Sequence, residues 1–403
     1  MIEIKGVNTI DGTVIDVIVE SMHNKILQAG HLHLFPCLID PHVHFRVPGQ
    51  EHKEDWKTAS KAAIYGGIGT VFDMPNNQPP CTTHQALKDK KQKIAHELRE
   101  AGIPLHRYFY FGVDRNTLDE IPKVKGEVIG LKVFMGSSTG SLLIDDDETL
   151  DRVFSLAKDL DLIVAVHAED EKMIQERKKS AASSYSSHSV VRSPEVAAAA
   201  IKKAIALVRK YKTRLYILHV SSDAELNLIR AAKREGLPVY AECCPHHLFL
   251  NDQVYEKLQG KAVVNPPLRS EKDRQALWDA IDDETIDTIG SDHAPHTIEE
   301  KRKPYGSCPS GMPGVETLLP LLINAYHMGK ISLQRIASLT SGRVKEIFRL
   351  PPDKNVLLVD LERVKKVDDS HLKTKVKWSP FAGETLKGWP AYVILNGEIW
   401  NLS

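Results

Sequence analysis

The stretch LIDPHVHFR, residues 38–46, joins a short apolar run to two histidines and an arginine. The pattern is typical of a buried strand with a polar carboxyl end. His42 and His44 are two residues apart, so on a strand their side chains point to the same side. Both imidazoles could then bind one divalent cation, because histidine is a common ligand of zinc and similar ions.

Apolar runs like this one recur along the chain, separated by helical or loop-like segments. They are continuous rather than alternating, which is typical of strands buried on both faces of a parallel sheet. Strands alternating with helices over residues 35–293 predict a (β/α)8 TIM-like barrel. An open doubly wound sheet is the alternative, but no G-x-G-x-x-G motif opens a helix after the first strand. The runs are FPCLIDPHV (35–43), TVFDMPN (70–76), RYFYFGV (107–113), GLKVFMG (130–136), LIVAVHA (162–168), LYILHVS (215–221), VYAECCP (239–245) and DTIGSDH (287–293).

Several of the intervening segments have the spacing of amphipathic helices. They include KEDWKTASKAAIYGG (53–67), HQALKDKKQKIAHELREAG (84–102) and SPEVAAAAIKKAIALVRKY (193–211). In the last of these, Ser193 is the expected N-cap and Pro194 the first helical residue. The small, polar segment SAASSYSSHSVV (180–191) predicts a mobile loop.

Both ends of the chain differ from its middle. MIEIKGV and TVIDVIVES near the N-terminus, and NVLLVDL and AYVILNGEIW near the C-terminus, read as short strands. We therefore predict a small β-sandwich-like accessory domain formed by residues 1–34 and 350–403. The catalytic barrel is expected to occupy residues 35–349, with extra helices over residues 315–348 joining it to the tail.

Composition excludes several functional classes. The chain has 53 basic and 53 acidic residues among 403, so its formal net charge of zero argues against nucleic acid and against anionic membranes as partners. No apolar run approaches the roughly 20 residues that span a bilayer, and the N-terminal stretch lacks the features of a secretory signal. Five cysteines without a C-x-x-C motif favour a reduced, cytoplasmic compartment.

Metal-ligating and titratable residues cluster at the predicted strand ends. In a barrel of this kind the carboxyl ends of all strands meet at one face, where the active site lies. A lone histidine at a strand end is usually a structural group, but so many ligand types at the ends of one barrel predict a zinc-type metal site. These residues are His42, His44, Lys132, His167, His219 and Asp292.

Lys132 stands between apolar residues in GLKVFMG. A buried, unpaired ammonium is costly, so a salt bridge or a snorkelling side chain is one interpretation. The other is that the neutral amine takes up carbon dioxide and becomes a carbamate, which could bridge two cations. That interpretation accounts for more ligands than one tetrahedral zinc needs.

Several motifs, in their order along the chain, resemble those of the dihydroorotases of the amidohydrolase superfamily. The resemblance covers nearly the whole chain and implies a metal-dependent barrel that interconverts N-carbamoyl-L-aspartate and L-dihydroorotate in pyrimidine biosynthesis. It also implies two Zn²⁺ ions, a small-molecule substrate and a homodimer. The motifs are LIDPHVHFRVPG, MPNN, GLKVFMGSS, CPHHL, NPPLR, SDHAPHTIEEK and GMPGVETLLPLL.

The resemblance also implies a role for each site residue. His42, His44 and Asp292 would bind one zinc ion, and His167 and His219 the other, with carbamylated Lys132 as the bridge. Asp292 would be the catalytic acid–base residue. The expected substrate-binding residues are Arg46, Asn76, Asn265 and His296.

Three alternatives remain open. GSSTG (136–140) matches the G-x-S-x-G pattern of a serine hydrolase, although that interpretation leaves the strand-end histidines without a function. A non-catalytic barrel scaffold is the second, but such a protein is expected to have lost ligands. A hydantoinase- or allantoinase-like ring opener is the third, and Arg46 argues against it because a guanidinium matches a substrate carboxylate.

Overall fold

The computed structural model describes residues 1–138 and 142–402, and its strands form two separate sheets. The strands are β1 Ile2–Thr9, β2 Val14–Val19, β3 Lys25–Gln28, β4 His33–Pro36, β5 Leu38–Val43, β6 Ile68–Asp73, β7 His106–Gly112, β8 Gly130–Phe134, β9 Val164–His167, β10 Leu215–Ile217, β11 Val239–Cys243, β12 Thr288–Ile289, β13 Val356–Lys366, β14 Thr385–Leu395 and β15 Glu398–Asn401.

The larger sheet contains the eight strands β5 to β12 in sequence order, all parallel. Its two ends meet through a parallel bridge between Val43 and His293, and the His44 amide donates a 2.8 Å hydrogen bond to the His293 carbonyl. The sheet is therefore a nearly closed barrel, and the predicted fold class is confirmed. β5 is buried along its whole length, as its continuous apolar pattern predicts.

The α-helices mostly follow the barrel strands. They are α1 Trp56–Tyr65, α2 His84–Ala101, α3 Asp147–Asp159, α4 Glu171–Lys178, α5 Ser187–Val191, α6 Pro194–Tyr211, α7 Asp223–Arg234, α8 Pro245–Phe249, α9 Tyr255–Leu258, α10 Glu271–Asp282, α11 Ile298–Lys301, α12 Leu318–His327, α13 Leu333–Ala337 and α14 Arg343–Phe348. The 3₁₀ helices are Leu118–Val124, Asp252–Val254, Gln259–Ala262 and Asp369–His371, and Ser338–Gly342 is a π-helix.

Local sequence explains several helix boundaries. The Asp55 and Thr83 side chains cap α1 and α2 by accepting hydrogen bonds from backbone amides of the first turn. Pro194 begins α6 as predicted, but Ser193 makes no side-chain cap, since its hydroxyl bonds Glu195 instead. Between β7 and β8 the crossover is a 3₁₀ helix that contains Pro122, a residue that disfavours a regular α-helix.

The prediction of a loop over residues 180–191 is wrong for the end of this segment. Its last residues form α5 rather than a loop, with His188 and Val191 buried. His188 Nε2 donates to the Val264 carbonyl at 2.8 Å and lies 3.0 Å from Asn265 Oδ1. The small, polar composition of the segment indicated a loop. The contacts that stabilise the helix involve residues distant in sequence, so local composition could not indicate them.

The smaller sheet joins both ends of the chain, in the order β15-β14-β13-β4-β1-β2, with β3 pairing β1. β4 pairs antiparallel with β13 up to Pro36, so the sheet takes in residues just before the first barrel strand. Helices α12 to α14 connect the barrel to β13, in the region expected to be helical. The domain boundaries themselves stay a prediction. Within the described residues, no helix is both long enough and apolar enough to cross a bilayer.

Candidate active site

Three predicted ligands meet at the carboxyl ends of the first and last barrel strands. Asp292 Oδ1 lies 3.1 Å from His42 Nε2 and 3.2 Å from His44 Nε2. All three donor atoms fall in one cluster that could hold a metal ion. Because β5 and β12 are the strands that close the barrel, residues far apart in sequence become neighbours here.

The other two histidines form an adjacent pair. His167 Nδ1 and His219 Nε2 are 3.0 Å apart, and the other ring nitrogen of His219 is buried without a hydrogen-bond partner among the described residues. The His219 ring centroid lies 5.3 Å from that of His42, so the two histidine pairs share one site. Converging imidazole and carboxylate donors are the set that zinc and similar divalent ions prefer, so the residues fit a metal centre.

Lys132 lies in the same pocket and is buried. Within the described part of the chain, its ammonium forms neither a hydrogen bond nor an ion pair, and it lies 4.5 Å from the centre of the Phe134 ring. Burial lowers the pKa of Lys132 to about 7, although Asp292 and Glu242 oppose this. The amine is therefore neutral in a large fraction of molecules near neutral pH.

Hydrogen bonds at Nδ1, on the ring edge away from Asp292, orient two of the histidines. His42 Nδ1 lies 2.8 Å from Glu242 Oε1, and His44 Nδ1 lies 2.7 Å from Asn76 Oδ1. Each acceptor keeps the proton on Nδ1 and leaves the Nε2 lone pair directed at Asp292, which is the usual arrangement behind a metal-bound histidine. Burial lowers the pKa of His44 to about 3, so its ring stays neutral.

Arg46 enters the pocket next to these ligands with only 2 % of its surface exposed. Its Nε donates to the Pro295 carbonyl at 3.1 Å, and Nη2 lies 3.1 Å from His296 Nε2. No carboxylate of the described residues pairs with the guanidinium, and burial lowers its pKa to about 10. A buried cation with an open face can bind an anion.

The backbone is unusual at three of the site residues. Arg46, His219 and Asp292 have φ values of 66°, 41° and 45°, in the left-handed region that non-glycine residues rarely adopt. Such conformations concentrate at functional sites, because the surrounding structure must hold them. Each of the three follows the end of a barrel strand, and the turn directs its side chain into the pocket.

The structure brings nearly all the predicted site residues into one pocket, and His296 is the exception. His296 is buried behind Arg46 and contacts the Ser310 carbonyl at 3.0 Å, so its role toward substrate stays a prediction. Asn265 lies in the pocket wall, and Asn76 both lines the wall and holds His44. The predicted residues that line the pocket are His42, His44, Arg46, Asn76, Lys132, His167, His219, Asn265 and Asp292.

Sequence analysis missed several residues of the site. Glu242 lies in β11, one residue before its end, and is fully buried. Glu169, whose Oε2 lies 2.9 Å from His167 Nε2, is fully buried as well. A carboxylate inside a predicted buried strand is the signal that could have identified Glu242, because a buried charge needs a partner. Ser310 and Gly311 also line the pocket, but they come from a loop that no strand pattern marks.

The serine-hydrolase alternative receives no support. Of GSSTG, residues 139 and 140 lie outside the described residues, but Ser138 lines the pocket, 3.5 Å from the Asn265 amide nitrogen. A nucleophile elbow places its serine directly before a helix. No described residue between Ser138 and the start of α3 is helical.

Comparison with known proteins identifies the family. The amidohydrolase family model matches residues 33–399. The dihydroorotase of Methanosarcina acetivorans is 34% identical, covering 94% of this chain and 84% of that protein, and the dihydroorotase of Pyrococcus abyssi is 36% identical over 93% and 85%. This chain belongs to the dihydroorotase group of the amidohydrolase family. The resemblance noted in the sequence is thus confirmed.

The fold of this amidohydrolase also matches solved structures. The L-hydantoinase (dihydropyrimidinase) of Arthrobacter aurescens superimposes with a TM-score of 0.92, at 27% identity, over 99% of this chain and 95% of that one. The chain is a metal-dependent cyclic amidohydrolase, and the cluster of His42, His44 and Asp292 is its candidate metal site. The same findings support an enzyme rather than a non-catalytic scaffold.

Proposed function

We propose that this amidohydrolase interconverts L-dihydroorotate and N-carbamoyl-L-aspartate in pyrimidine biosynthesis, the reaction of a dihydroorotase. The buried guanidinium of Arg46, which pairs with no carboxylate among the described residues, carries the proposal. Dihydroorotate has a carboxylate beside the cyclic amide, and a guanidinium binds a carboxylate through two parallel hydrogen bonds. The curated relatives that are 34% and 36% identical are dihydroorotases, which supports the same reaction.

A hydantoinase-like ring opener is the second candidate. It is favoured by the similarity to the L-hydantoinase structure, which covers nearly all of both chains. Substrates that lack a carboxylate would leave the Arg46 charge uncompensated in a buried pocket, which costs free energy. The dihydroorotase reaction is therefore the better fit to this site.

We propose that the site holds two zinc ions bridged by carbamylated Lys132. His42, His44 and Asp292 would hold one ion, and His167 and His219 the other. The bridge forms when the neutral amine of Lys132 adds carbon dioxide, giving a carbamate anion and releasing one proton. Its burial without an ion pair to any described residue and its pKa of about 7 both favour that conversion. When bound, the zinc ions would polarise the carbonyl of the substrate and lower the pKa of a bound water to near neutral.

The protein's own residues position the substrate and move the proton. Arg46 holds the carboxylate, with Asn265 and Asn76 beside it in the pocket wall. Asp292 takes a proton from the attacking water and delivers it to the ring nitrogen as the amide bond breaks. In the biosynthetic direction Asp292 removes the proton from the ureido nitrogen. Its position between the two histidines keeps the carboxylate at the reacting centre.

A panel of cyclic amides tests the proposal. Dihydroorotate and dihydrouracil have six-membered rings and hydantoin has a five-membered one. Of the three compounds, only dihydroorotate carries a carboxylate. We expect kcat/KM for dihydroorotate to exceed the other two by at least about 100-fold, since a charged hydrogen-bonded contact contributes about 1.5–3 kcal/mol and the carboxylate makes more than one. Faster turnover of dihydrouracil or hydantoin would contradict the assignment and favour the second candidate.

We also propose that the enzyme acts in the cytoplasm and forms a homodimer. All five cysteines are unpaired and four of them are buried, which suits a reducing compartment. Its partner in the reaction is a small molecule. Size-exclusion chromatography with light scattering tests the dimer.

A further inference from the structure

Beside the catalytic pocket lies a second group of ligand-type side chains that the proposed reaction does not use. Cys244, His246 and His247 belong to the segment CPHHL, which follows β11 and forms the start of α8. One donor atom from each residue lies within 4.8 Å of the others. All three side chains are buried, with at most 3 % exposed.

The two imidazoles have ring nitrogens without a partner. His246 Nε2 and His247 Nδ1 are buried and make no hydrogen bond within the described residues. Buried polar atoms are almost always paired, so such atoms call for a water or an ion between them. Both nitrogens belong to side chains that cluster with the Cys244 thiol, and imidazole and thiol donors together suit a metal ion.

The other nitrogen of His247 supports this interpretation. His247 Nε2 lies 3.1 Å from the Pro266 carbonyl, an acceptor only, so Nε2 carries the proton and Nδ1 presents its lone pair. A histidine that binds a metal usually donates its remaining N–H to a carbonyl or a carboxylate in this way. The tautomer is therefore already the one that metal binding requires.

Cys244 also lies near a second possible group, with His42 and Glu242. There, however, His42 Nδ1 and Glu242 Oε1 are 2.8 Å apart and satisfy each other. Of these two groups, the one with His246 and His247 contains the ring nitrogens that lack a partner among the described residues. Thiolate and imidazole together favour zinc and other thiophilic ions over magnesium or calcium.

We propose that Cys244, His246 and His247 bind a third zinc-class ion, separate from the catalytic metal centre. Binding would replace the thiol proton by the metal, so that Cys–SH and M²⁺ give a Cys–S–M bond and one released proton. Tetrahedral coordination needs donors about 3.4–3.7 Å apart, and the donors of the three residues lie within 4.8 Å of one another. The ion would tie the end of β11 to the Pro266 loop, next to Asn265 in the pocket wall.

X-ray absorption at the zinc edge tests this proposal, because none of the proposed catalytic ligands contains sulfur. In zinc-replete wild-type protein we expect a zinc–sulfur shell at about 2.3 Å. In Cys244→Ser that shell is lost and the zinc content falls by about one ion per chain. The neighbouring Cys243→Ser, a buried cysteine at the end of β11 outside the cluster, should keep both.

Two results would overturn the third site. One is zinc-replete wild-type protein without a sulfur shell, which needs no variant and so does not depend on folding. The other is a sulfur shell that persists in Cys244→Ser, which would place the zinc on another cysteine such as Cys308. His247→Gln provides a second variant, and it should also remove one zinc ion while dihydroorotate turnover continues.

Discussion

Asp292 and His42 meet at the seam of the barrel, with the carboxylate 3.1 Å from Nε2 of the imidazole. The seam is made by the backbone of the next residue, His293, which bridges to Val43. The proposed acid–base residue is therefore held where the first and last strands join. Its position depends on the closure of the whole barrel.

Replacing Asp292 by Asn should remove the proton carrier while keeping the size of the side chain. We expect kcat for dihydroorotate to fall by about 10²–10⁴, the usual range for loss of a general acid–base group. Steady-state kinetics measure this, with Asp282→Asn on the exposed end of α10 as the control. Retention of more than a tenth of kcat would rule out the proposed role.

Arg46→Ala should raise KM for dihydroorotate and lower kcat/KM by about 10–100-fold, because a charged hydrogen-bonded contact is worth about 1.5–3 kcal/mol. Arg46→Lys should recover only part of the loss, since an ammonium lacks the planar fork. Zinc content should stay at the wild-type level in both variants. Unchanged kinetics with dihydroorotate would show that the guanidinium does not bind the substrate.

Asn76→Ala separates two roles of one residue. Because Asn76 Oδ1 orients His44 at 2.7 Å, we expect metal affinity to fall by about 10–100-fold, as for other groups behind a metal ligand. Competition with a chromogenic chelator measures the affinity. If instead only KM rises at saturating zinc, Asn76 acts on the substrate, as the sequence predicted.

Chelation should abolish turnover, and added zinc should restore it. Zinc should also stabilise the folded chain, by about 2.7 kcal/mol at a free concentration 100 times the dissociation constant. Denaturant unfolding with and without zinc measures this. His219→Gln should reduce both effects, and full activity in metal-free protein would contradict a metal-dependent mechanism.

Glu316 gives a pH-dependent prediction. Burial raises the pKa of Glu316 to about 7, although hydrogen bonds from the Thr374 and Lys373 amides oppose it. A folded-state pKa above the unfolded value means that the folded state holds the proton longer, so stability falls as pH rises from about 4.5 to about 7. Glu316→Gln should therefore gain up to about 3 kcal/mol relative to wild type across that window.

Urea denaturation at several pH values measures the difference between the two stability curves. The substitution also alters hydrogen bonds, which shifts the free energy of unfolding by the same amount at every pH. The test is unaffected by this shift, because it depends on how the difference between the two proteins changes with pH. The exposed Glu284→Gln serves as the control. Parallel curves for wild type and Glu316→Gln would show that Glu316 does not hold a proton in the folded state.

Sequence alone could predict the barrel and most of the site, for a physical reason. Continuous apolar runs identify the buried parallel strands, and the carboxyl ends of such strands meet at one face. Ligands that end or directly follow those runs, such as His42, His167 and His219, therefore had to converge. The specific pairings needed coordinates, since they depend on which strands close the barrel.

What the sequence could not predict lies in loops and in contacts between distant segments. The loop prediction for segment 180–191 is wrong for its last residues, because His188 bonds the Val264 carbonyl and stabilises α5, a contact that no local pattern reveals. The motif did not reveal that His296 lies behind Arg46, with its Nε2 3.1 Å from Arg46 Nη2, and its role toward substrate stays a prediction. Partners of this kind are decided by packing across the molecule.

The left-handed backbone at Arg46, His219 and Asp292 has a consequence for engineering. Glycine would relax the backbone at each of these positions but would also delete a side chain that the proposed reaction uses. A glycine at any of these positions that raised the free energy of unfolding would therefore also remove the proposed activity. Stabilisation of this enzyme has to come from sites away from the three turns.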